Sequence, residues 1–563
     1  MRFINLLSFA VCVLGLAAQQ PAASRTAPAS LQFEISGRVV DAVSGAPLSH
    51  TVVAIAPVSK RDNVHTMSTD GDGQFRFTDL PADKYTLTAQ RRGYLTESYE
   101  QHDQYSTSIA VGPDLDSTGI VFRVHPDGAI YGRVTDDHNE PVANAQVLIF
   151  RNGLIGGKQG TDLQRRLVTT DEGLFRFSHV PPGKYYLVVS GSPWYAHGSP
   201  FNITGQARPA APNASGTTAR PSAQQPASDN QETRSPLDVA FPITFYPGVV
   251  DLAVATPIVL PPGGRFAADI TLQAVPALHV RLNINEPTRD RTFTANLTHV
   301  VADNVTIGME YMTFTAIDNN TVELTGVAPG SYNLDVNTQR GGVSSQSTRA
   351  VELTRNITVG PDEIPLSAPV SGIVGFDDGS ALPGGGFIQL RNQKTRQFLV
   401  GQISAQGEFE LKQAVPAGSY DVAVNGIASV FLKSMAANGA KVSGQSVTIA
   451  GSGPVKMAVM LTKGLGRIDG KALRDDKPVA GVMIVLVPQD PANNATLFRR
   501  DQSDSDGSFS LATVIPGKYT ILAIENGWEM EWANPAVLKP YMAQGEPLQI
   551  QANGKYQVKL KVQ

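Results

Sequence analysis

A short pattern of residues recurs five times along the chain and constrains its fold more than any other feature. Each copy has two large residues separated by one position, then an apolar–Pro–x–Gly segment or a variant of it, then Tyr–x–apolar. The alternation places both large residues on one face of a strand. Proline ends that strand because it cannot donate to a ladder, and glycine tolerates the backbone angles of the turn. The tyrosines that restart the chain after this corner are Tyr85, Tyr185, Tyr332, Tyr420 and Tyr519.

Each of these tyrosines stands at the start of a strand with a two-residue period. We expect its ring to be buried and its hydroxyl to bond backbone near the turn, as in the tyrosine corner of immunoglobulin-like sandwiches. Successive tyrosines are separated by 100, 147, 88 and 99 residues. Several short strands with turn signals in each interval of roughly 90 to 100 residues predict one β-sandwich per copy.

The chain is therefore predicted to be all-β, a tandem string of about five sandwich modules. The third copy is degenerate, and the long second interval contains residues 204–236, which have no Leu, Ile, Val, Met or aromatic residue. Such a stretch buries too little apolar surface to order itself, so we expect a disordered insertion in the second module. The predicted modules are 32–125, 126–276, 277–367, 368–462 and 463–563.

The second copy carries the pattern in its fullest form. It reads Gly132-x-Val134, Pro141-Val142, Thr170-Asp171 and Phe175-x-Phe177, followed by Val180-Pro-Pro-Gly-x-Tyr185. This order resembles the carboxypeptidase regulatory-like domain, as do the first and fifth copies. The resemblance implies a transthyretin-like, greek-key sandwich of about seven strands, related to the B-type repeats of collagen adhesins. Such domains serve as accessories or stalks, and their motifs are structural, so the resemblance implies no catalytic residue.

The beginning of the sequence predicts export. Arg2 is followed by an apolar run from Phe3 to Leu16 and by the small residues Ala17 and Ala18, which is typical of a signal peptide over residues 1–18. The single cysteine, Cys12, lies within this segment, so we expect a mature chain without disulfides. No later apolar stretch has the length of a membrane span. We therefore expect a periplasmic, extracellular or cell-surface protein.

The polar residues show no pattern of catalysis or of nucleic-acid binding. A formal net charge of −4 argues against a nucleic-acid footprint, and the Arg499–Arg500 pair is interpreted as solvated loop charge. No nucleophile–base, metal-ligand or phosphate-loop motif occurs, so no enzyme activity, metal or cofactor is predicted. The acidic segments Asp70–Gly73 and Asp504–Gly507 are interpreted as hairpin turns in preference to calcium loops.

Large aromatic residues recur at one position relative to the corner. Tyr94, Trp194 and Trp528 each stand nine residues after their corner tyrosine, and Trp532 follows closely. Flat rings at a strand end can stack on the apolar faces of sugars, which makes these four residues candidates for a carbohydrate-binding site. The alternative, which we favour, is that each ring caps the core of its sandwich.

The sequence thus predicts an exported, non-catalytic binding or scaffold protein of the cell envelope, with carbohydrate binding as a hypothesis and polysaccharides or envelope proteins as partners. One alternative is an accessory subunit of a polysaccharide-processing or uptake system, and a less favoured one is a cryptic hydrolase. A further alternative concerns Lys471 and Asn553, which lie in outer strands where adhesin sandwiches form Lys–Asn isopeptide crosslinks.

Overall fold

The computed structural model describes residues 32–196, 237–283, 291–302, 305–308, 313–317, 321–340, 343–360, 367–394, 398–451, 453–492 and 494–563. The predicted signal peptide and the predicted insertion at 204–236 lie outside these ranges. Across the described ranges the chain forms β-strands almost throughout, with one α-helix of eight residues and three short 3-10 turns. No helix there is both long enough and apolar enough to span a bilayer.

The strands group into five sandwiches, which we name modules 1 to 5 in chain order. Module 1 contains β1 (Phe33–Asp41), β2 (Val52–Pro57), β3 (His65–Ser68), β4 (Gln74–Leu80), β5 (Asp83–Gln90), β6 (Glu97–Ser98), β7 (Ile109–Val111) and β8 (Ile120–Val124). Module 2 contains β9 (Gly128–Asp136), β10 (Gln146–Ile155), β11 (Lys158–Val168), β12 (Leu174–Val180), β13 (Gly183–Ser190), β14 (Val239–Ala240), β15 (Thr244–Phe245), β16 (Ile258–Leu260), β17 (Arg265–Ala267), β18 (Ile270–Leu272) and β19 (Val275–Pro276).

Module 3 contains β20 (Leu278–Asn283), β21 (Arg291–Ala302), β22 (Val305–Gly308), β23 (Thr313–Ala316), β24 (Thr321–Val327), β25 (Gly330–Arg340), β26 (Val343–Leu353) and β27 (Ile357–Val359). Module 4 contains β28 (Ser367–Ala368), β29 (Val370–Phe376), β30 (Phe387–Asn392), β31 (Phe398–Gln402), β32 (Glu408–Glu410), β33 (Gln413–Pro416), β34 (Gly418–Asn425), β35 (Val430–Asn438), β36 (Ala440–Ser443), β37 (Ser446–Ile449) and β38 (Val455–Lys463).

Module 5 contains β39 (Gly466–Arg474), β40 (Lys477–Pro478), β41 (Met483–Pro488), β42 (Arg499–Gln502), β43 (Ser508–Val514), β44 (Gly517–Ile524), α1 (Pro535–Met542), β45 (Glu546–Ile550) and β46 (Lys555–Lys561). The 3-10 turns are Leu252–Val254 in module 2 and Ala495–Leu497 and Gly527–Glu529 in module 5. The fold is thus a tandem array of all-β sandwiches, which confirms the predicted class.

All five modules share one sheet plan. In one sheet the opening strand (β1, β9, β20, β29 or β39) pairs antiparallel with the strand that holds the first of the two large residues of the pattern and parallel with the closing strand. In module 4 a further strand, β33, lies between that strand and the corner and pairs with β26 of module 3 and with β28. In the other sheet the strand of the corner tyrosine pairs antiparallel with the second long strand. Because this plan recurs, the repeated sequence pattern and the repeated structure coincide.

The opening strand has a glycine near its middle in modules 1, 2, 4 and 5, and in modules 1 and 4 this glycine permits the parallel closing strand to approach. A Cβ atom at Gly37 would lie 2.2 Å from the carbonyl oxygen of Ile120, and one at Gly372 would lie 2.0 Å from that of Met457. These positions exclude any side chain, because both clashes are with backbone. The Gly-centred strand of the sequence pattern therefore marks a close backbone approach.

The corner is the same in every module, and its tyrosine hydroxyl behaves as predicted. Each hydroxyl donates to the carbonyl four residues earlier, at distances of 3.0, 2.7, 2.8, 2.8 and 2.7 Å from Tyr85 to Tyr519. All five rings are buried in their modules. The hydroxyl bonds to a carbonyl at the turn, and the ring fills the core beneath it.

Each module has its own hydrophobic core. In module 1, alternate residues of β4 point inward, so Phe75 and Phe77 meet Tyr85 and Phe122 from the facing strands. Three further apolar clusters cross module boundaries, the smallest of which joins Ala240 of module 2 to Ala277 and Ala328 of module 3. A second joins Phe150 and Phe245 of module 2 to Val301 and Ile307 of module 3, and the third belongs to module 5 and includes Tyr105 of module 1.

Candidate functional site

Two of the four predicted aromatic residues lie apart from the others. The ring of Tyr94 packs on the core of module 1, and its hydroxyl donates to Oδ2 of Asp41 at 2.9 Å. Burial, and then the hydrogen bond to Asp41, raise the pKa of Tyr94. Trp194 in module 2 is 58% exposed, and its Nε1 donates to Oε2 of Glu140 at 3.0 Å. The neighbouring Tyr195 meets this indole edge to face, with 5.7 Å between ring centroids.

The other two predicted residues lie together in a second apolar cluster of module 5. Trp528 is only 9% exposed, and its Nε1 donates to the carbonyl of Gly481 at 3.1 Å. One face of its indole is covered by His102 of module 1, with 4.7 Å between ring centroids and 8° between planes. Trp532 is partly buried against Phe498, 6.0 Å between centroids. The faces of both indoles are therefore occupied by the protein itself.

Arg500 lies among these rings, which overturns its interpretation as a solvated loop charge. Its side chain is 9% exposed. The guanidinium carbon lies 4.2 Å from the ring centroid of Trp532, 5.1 Å from that of Tyr105 and 5.8 Å from that of Trp528. Asp103 of module 1 forms an ion pair with it at 3.5 Å. A desolvated cation among aromatic faces is stabilised by their quadrupoles, by on the order of 2 kcal/mol for a well-placed ring.

Polar contacts continue this association between module 1 and module 5. Gln502 donates through Nε2 to the carbonyl of Glu100 at 2.7 Å and to the hydroxyl of Thr107 at 2.9 Å. The backbone of Ser505 donates to the carbonyl of Ser108 at 3.0 Å. We name this association, formed by Lys84 and residues 100–110 of module 1 with residues 500–508 and 528–532 of module 5, the junction.

The turn 504–507 provides the charged part of the junction. Oδ1 of Asp504 accepts from the backbone of Ser108 at 2.9 Å, and Oδ2 pairs with Nζ of Lys84 at 2.5 Å. The hydroxyl of Ser505 accepts from the backbone of Ala110 at 2.8 Å. The segment is a hairpin turn, as predicted, since the backbone of Gly507 donates to the carbonyl of Asp504. Its carboxylate serves to bind a neighbouring module.

Module 2 reaches the same region of module 5 through the tip of its β10–β11 hairpin. A Cβ atom at Gly157 would lie 2.6 Å from the indole of Trp532, so the hairpin packs directly on this ring. The backbone of Ala533 donates to the carbonyl of Gly157 at 3.0 Å, and the backbone of Gln159 donates to Glu531 at 2.8 Å. Trp528 thus contacts module 1, and Trp532 contacts module 2.

A cleft of about 1080 Å³ opens beside the junction, between modules 1 and 5. Its charged lining residues are Arg61 and Lys84 of module 1 and Arg467, Asp469, Lys471, Asp501, Asp504, Asp506 and Lys559 of module 5. Burial raises the pKa of Asp501 to about 6, although the carboxylate accepts from the backbone of Ser510 at 2.7 Å. Most of the other carboxylates are held in ion pairs, so the cleft has a polar wall with both signs of charge.

The structure separates Lys471 from Asn553, the pair considered for an isopeptide crosslink. Lys471 lies opposite Lys559 in the pairing of β39 with β46, and its Nζ lies 3.9 Å from Asp506. Asn553 precedes β46 and packs against Gly464, where a Cβ atom would lie 2.7 Å from its side-chain nitrogen. The residue opposite Lys471 is Lys559, six positions after Asn553, so the two residues are displaced from each other along the strand pair.

Sequence reasoning missed the junction, although part of its signal is visible. The segment between β44 and β45 holds Trp528, Trp532 and helix α1, whose first turn is capped by the side chain of Asn534. This segment is an addition to the repeat, and two large apolar rings in an addition indicate that something covers them. Nothing in the sequence identifies module 1 as the covering element.

Comparison with known proteins agrees with the fold. Residues 34–118 and 129–209 match the model of the carboxypeptidase regulatory-like domain. Residues 465–539 match the model described as the BOS complex subunit NOMO1-like, second beta sandwich domain. The comparison with curated proteins gave no match.

Several solved structures show similarity at low identity. A streptococcal ancillary pilin has 13% identity over 51% of this chain and 98% of its own, with a TM-score of 0.19. The Bacillus anthracis TIE protein has 10% identity over 96% of this chain and 76% of its own, with a TM-score of 0.16. The Streptococcus agalactiae minor pilin GBS52 has 12% identity over 43% and 96%, with a TM-score of 0.20. TM-scores this low do not bear on the arrangement of the modules or on function. The family matches, in contrast, confirm the predicted resemblance, because modules 1 and 2 match the model of the carboxypeptidase regulatory-like domain.

Proposed function

We propose that this protein is an exported, non-catalytic scaffold of the cell envelope, whose sandwich modules form a frame closed by the junction. The observation that carries the proposal is the packing of His102 on Trp528 together with the hydrogen bonds around Gln502. The junction joins parts of the chain that are about 400 positions apart. Its ion pair between Lys84 and Asp504, for example, spans 420 positions.

The free-energy cost of closing the frame requires several contacts at the junction. Closing a flexible loop of this length would cost on the order of 5 kcal/mol, and folded modules between the ends reduce that cost. A single hydrogen bond contributes about 1 kcal/mol, so one contact would not hold the frame closed. The junction combines an aromatic stack, a caged guanidinium, an ion pair and several hydrogen bonds between modules 1 and 5.

Two observations favour a non-catalytic role. The corner hydroxyls, which recur in every module, and the turn carboxylates of modules 1 and 5 are engaged in stabilising the fold. In the cleft, Asp504 pairs with Lys84 and Asp469 pairs with Arg467, so these carboxylates are held by cations. A general acid or nucleophile needs a group directed at a substrate position, and these side chains are directed at each other.

Carbohydrate binding remains part of the proposal at one of the four predicted residues. Trp194 presents a largely exposed indole whose orientation is fixed by the hydrogen bond to Glu140. A fixed, exposed ring can stack on a sugar with little loss of side-chain entropy. The rings of Tyr94, Trp528 and Trp532 are engaged with the protein, so the proposal concentrates on Trp194.

The test of closure uses variants that remove junction contacts without entering either core. His102→Ala with Lys84→Ala removes the stack and the ion pair, and His65→Ala with Lys60→Ala is the matched control on exposed residues of module 1. Small-angle scattering of the full chain should show a larger radius of gyration for the first pair alone. Equal radii for wild type and both variants would contradict a frame closed by the junction.

A further inference from the structure

The outer face of the last sheet concentrates positive charge. Strands β39 and β46 pair in parallel, with Arg467 opposite Lys555 and Lys471 opposite Lys559. Residues two apart on a strand share a face, so Lys561 extends the same row. All five side chains are exposed. We name these five residues, Arg467, Lys471, Lys555, Lys559 and Lys561, the basic face.

The negative charge near the basic face lies on its β39 side and in the cleft, at Asp469, Asp501, Asp504 and Asp506. Arg467 pairs with Asp469 on its own strand at 2.8 Å, and Lys471 lies 3.9 Å from Asp506. Among the residues that the structure describes, no carboxylate forms an ion pair with any of the three lysines of β46. The whole chain carries a formal net charge of −4, so this cationic row stands out against an acidic protein. A row of exposed like charges costs repulsion unless a counter-charge approaches it.

The basic face is also the floor of the cleft between modules 1 and 5. Lys471 and Lys559 line the cleft together with Arg61 from the opposite wall. Lys555 and Lys561 belong to the same face and lie beyond the cleft lining. The charged surface therefore continues out of the cleft at both ends of β46, which fits an extended ligand better than a small molecule.

We propose that the basic face binds an acidic polysaccharide, one whose sugars carry carboxylates along the chain. Lys559 and Lys561 stand about 7 Å apart and Lys555 and Lys559 about 13 Å apart along the strand, so the cations recur at the scale of a polymer repeat. The lysine ammonium groups attract anions as point charges and demand no particular geometry. The exposed Gln557 lies between Lys555 and Lys559 on the same row and can hydrogen-bond sugar hydroxyls.

A single-stranded nucleic acid fits this face less well. Binding of that class relies on aromatic rings interleaved with the cations, on which bases stack. The aromatic residue of β46, Tyr556, alternates to the other face of the sheet, where it packs against the module core and its hydroxyl accepts from the backbone of Gln551 at 2.7 Å. The five positions of the basic face hold only lysine and arginine, with glutamine and aspartate between them.

The proposal goes beyond the scaffold function, which requires no ligand, and uses the envelope location only to choose among polyanions. It is tested with the full chain by affinity electrophoresis in gels that contain polygalacturonate, dextran sulfate or neutral dextran. The variant is K555Q/K559Q/K561Q, and the matched control K412Q/K441Q/K456Q removes the same charge from exposed lysines of module 4.

We expect wild type and the control triple to be retarded by polygalacturonate, with a dissociation constant at least tenfold weaker for the β46 triple. Retardation should decrease with salt, because exposed charges are screened. Equal weakening in both triples, equal retardation by neutral dextran, or no retardation of wild type by polygalacturonate would overturn the proposal. The choice of a carboxylated glycan would be wrong if dextran sulfate retarded the protein more strongly than polygalacturonate does. It would also be wrong if single-stranded DNA bound more tightly than polygalacturonate in a parallel titration.

A thermal unfolding scan establishes that the triples are folded. Scattering on the same samples separates the two proposals, because loss of binding with an unchanged radius of gyration concerns the basic face alone. An expanded wild-type protein that still binds polygalacturonate would contradict the closed scaffold and leave the basic face supported.

Discussion

The imidazole of His102 lies flat on the indole of Trp528, with 4.7 Å between ring centroids and 8° between ring planes. The two residues belong to the first and the last module of the chain. Their contact, with Gln502 bonded to both Glu100 and Thr107, turns a string of sandwiches into a frame.

Removing the imidazole should loosen the junction and leave the modules folded. His102→Ala loses an aromatic pair worth about 1 kcal/mol, so we expect the opening equilibrium of the junction to rise about fivefold. Hydrogen exchange should become faster at the backbone amides of Ser108 and Ser505, which bond across the two modules. The control His65→Ala should leave both amides unchanged. Unaltered exchange in His102→Ala would show that the stack does not stabilise the junction.

The contact of module 2 with module 5 can be tested at two adjacent glycines. Gly156 and Gly157 both have positive φ, 59° and 82°, so alanine at either position costs about 1–2 kcal/mol of backbone strain. Only at Gly157 would the new Cβ meet Trp532, at 2.6 Å, because no atom lies within 4 Å of a Cβ at Gly156. We expect Gly157→Ala to change the tryptophan fluorescence of the protein more than Gly156→Ala does. It should also expose the backbone amide of Ala533, which donates to Gly157, to hydrogen exchange. Identical behaviour of the two variants would contradict the packing.

The tyrosine corner predicts a loss in the free energy of unfolding when the tyrosine hydroxyl is removed. Tyr185→Phe keeps the buried ring and removes the hydroxyl that donates to the carbonyl of Pro181 at 2.7 Å. We expect the free energy of unfolding of module 2 to fall by about 1 to 2 kcal/mol, because that carbonyl loses its partner. Tyr131→Phe, on a residue that is 37% exposed, should change it by less than about 0.5 kcal/mol. The comparison is made by denaturant unfolding with hydrogen exchange read in module 2.

Module 3 should lose stability in acid through His299. This imidazole packs against Tyr332, 4.5 Å between centroids, and burial lowers its pKa from 6.5 to about 4. In the unfolded chain the group binds a proton below pH 6.5, whereas the folded group does not until about pH 4, so stability falls as the pH decreases through this window. The loss should reach about 3 kcal/mol at pH 4.

His299→Gln removes the titrating group and should flatten this dependence. The measurement is denaturant unfolding of module 3, followed by hydrogen exchange between pH 7 and pH 4. The facing charge is Glu352, which favours the protonated imidazole, so Glu352→Gln should lower the folded pKa of His299 further and extend the loss of stability to lower pH. A slope that is the same in wild type and His299→Gln would show that another group is responsible.

The repeated elements were predictable because each one is a local solution to a physical problem. Proline and glycine mark the corner, the tyrosine that follows satisfies a carbonyl of that corner, and Gly37 marks the approach of the closing strand. These constraints act within one module, over short sequence distances. The sandwich fold and its five copies could therefore be inferred from the residues alone.

The junction could not be inferred, because its contacts join the surfaces of two modules that each have their own hydrophobic core. Arg500 follows another arginine in a polar segment and has the sequence context of an exposed residue. Its burial depends on Tyr105 and Asp103, which lie almost 400 residues earlier. Trp528 was selected by its spacing from Tyr519, a periodic feature, but the partner that covers its ring is His102, which belongs to no repeat.

The most direct test of the closed frame is a distance between module 1 and module 5. The single cysteine, Cys12, lies in the predicted signal peptide, so a chain lacking residues 1–18 accepts spin labels at Lys60→Cys and Lys477→Cys without competing thiols. Pulsed electron–electron double resonance should give one narrow distribution of distances between the two labels. This distribution should broaden when His102→Ala and Lys84→Ala are added. A broad distribution in the otherwise unaltered protein would contradict the account.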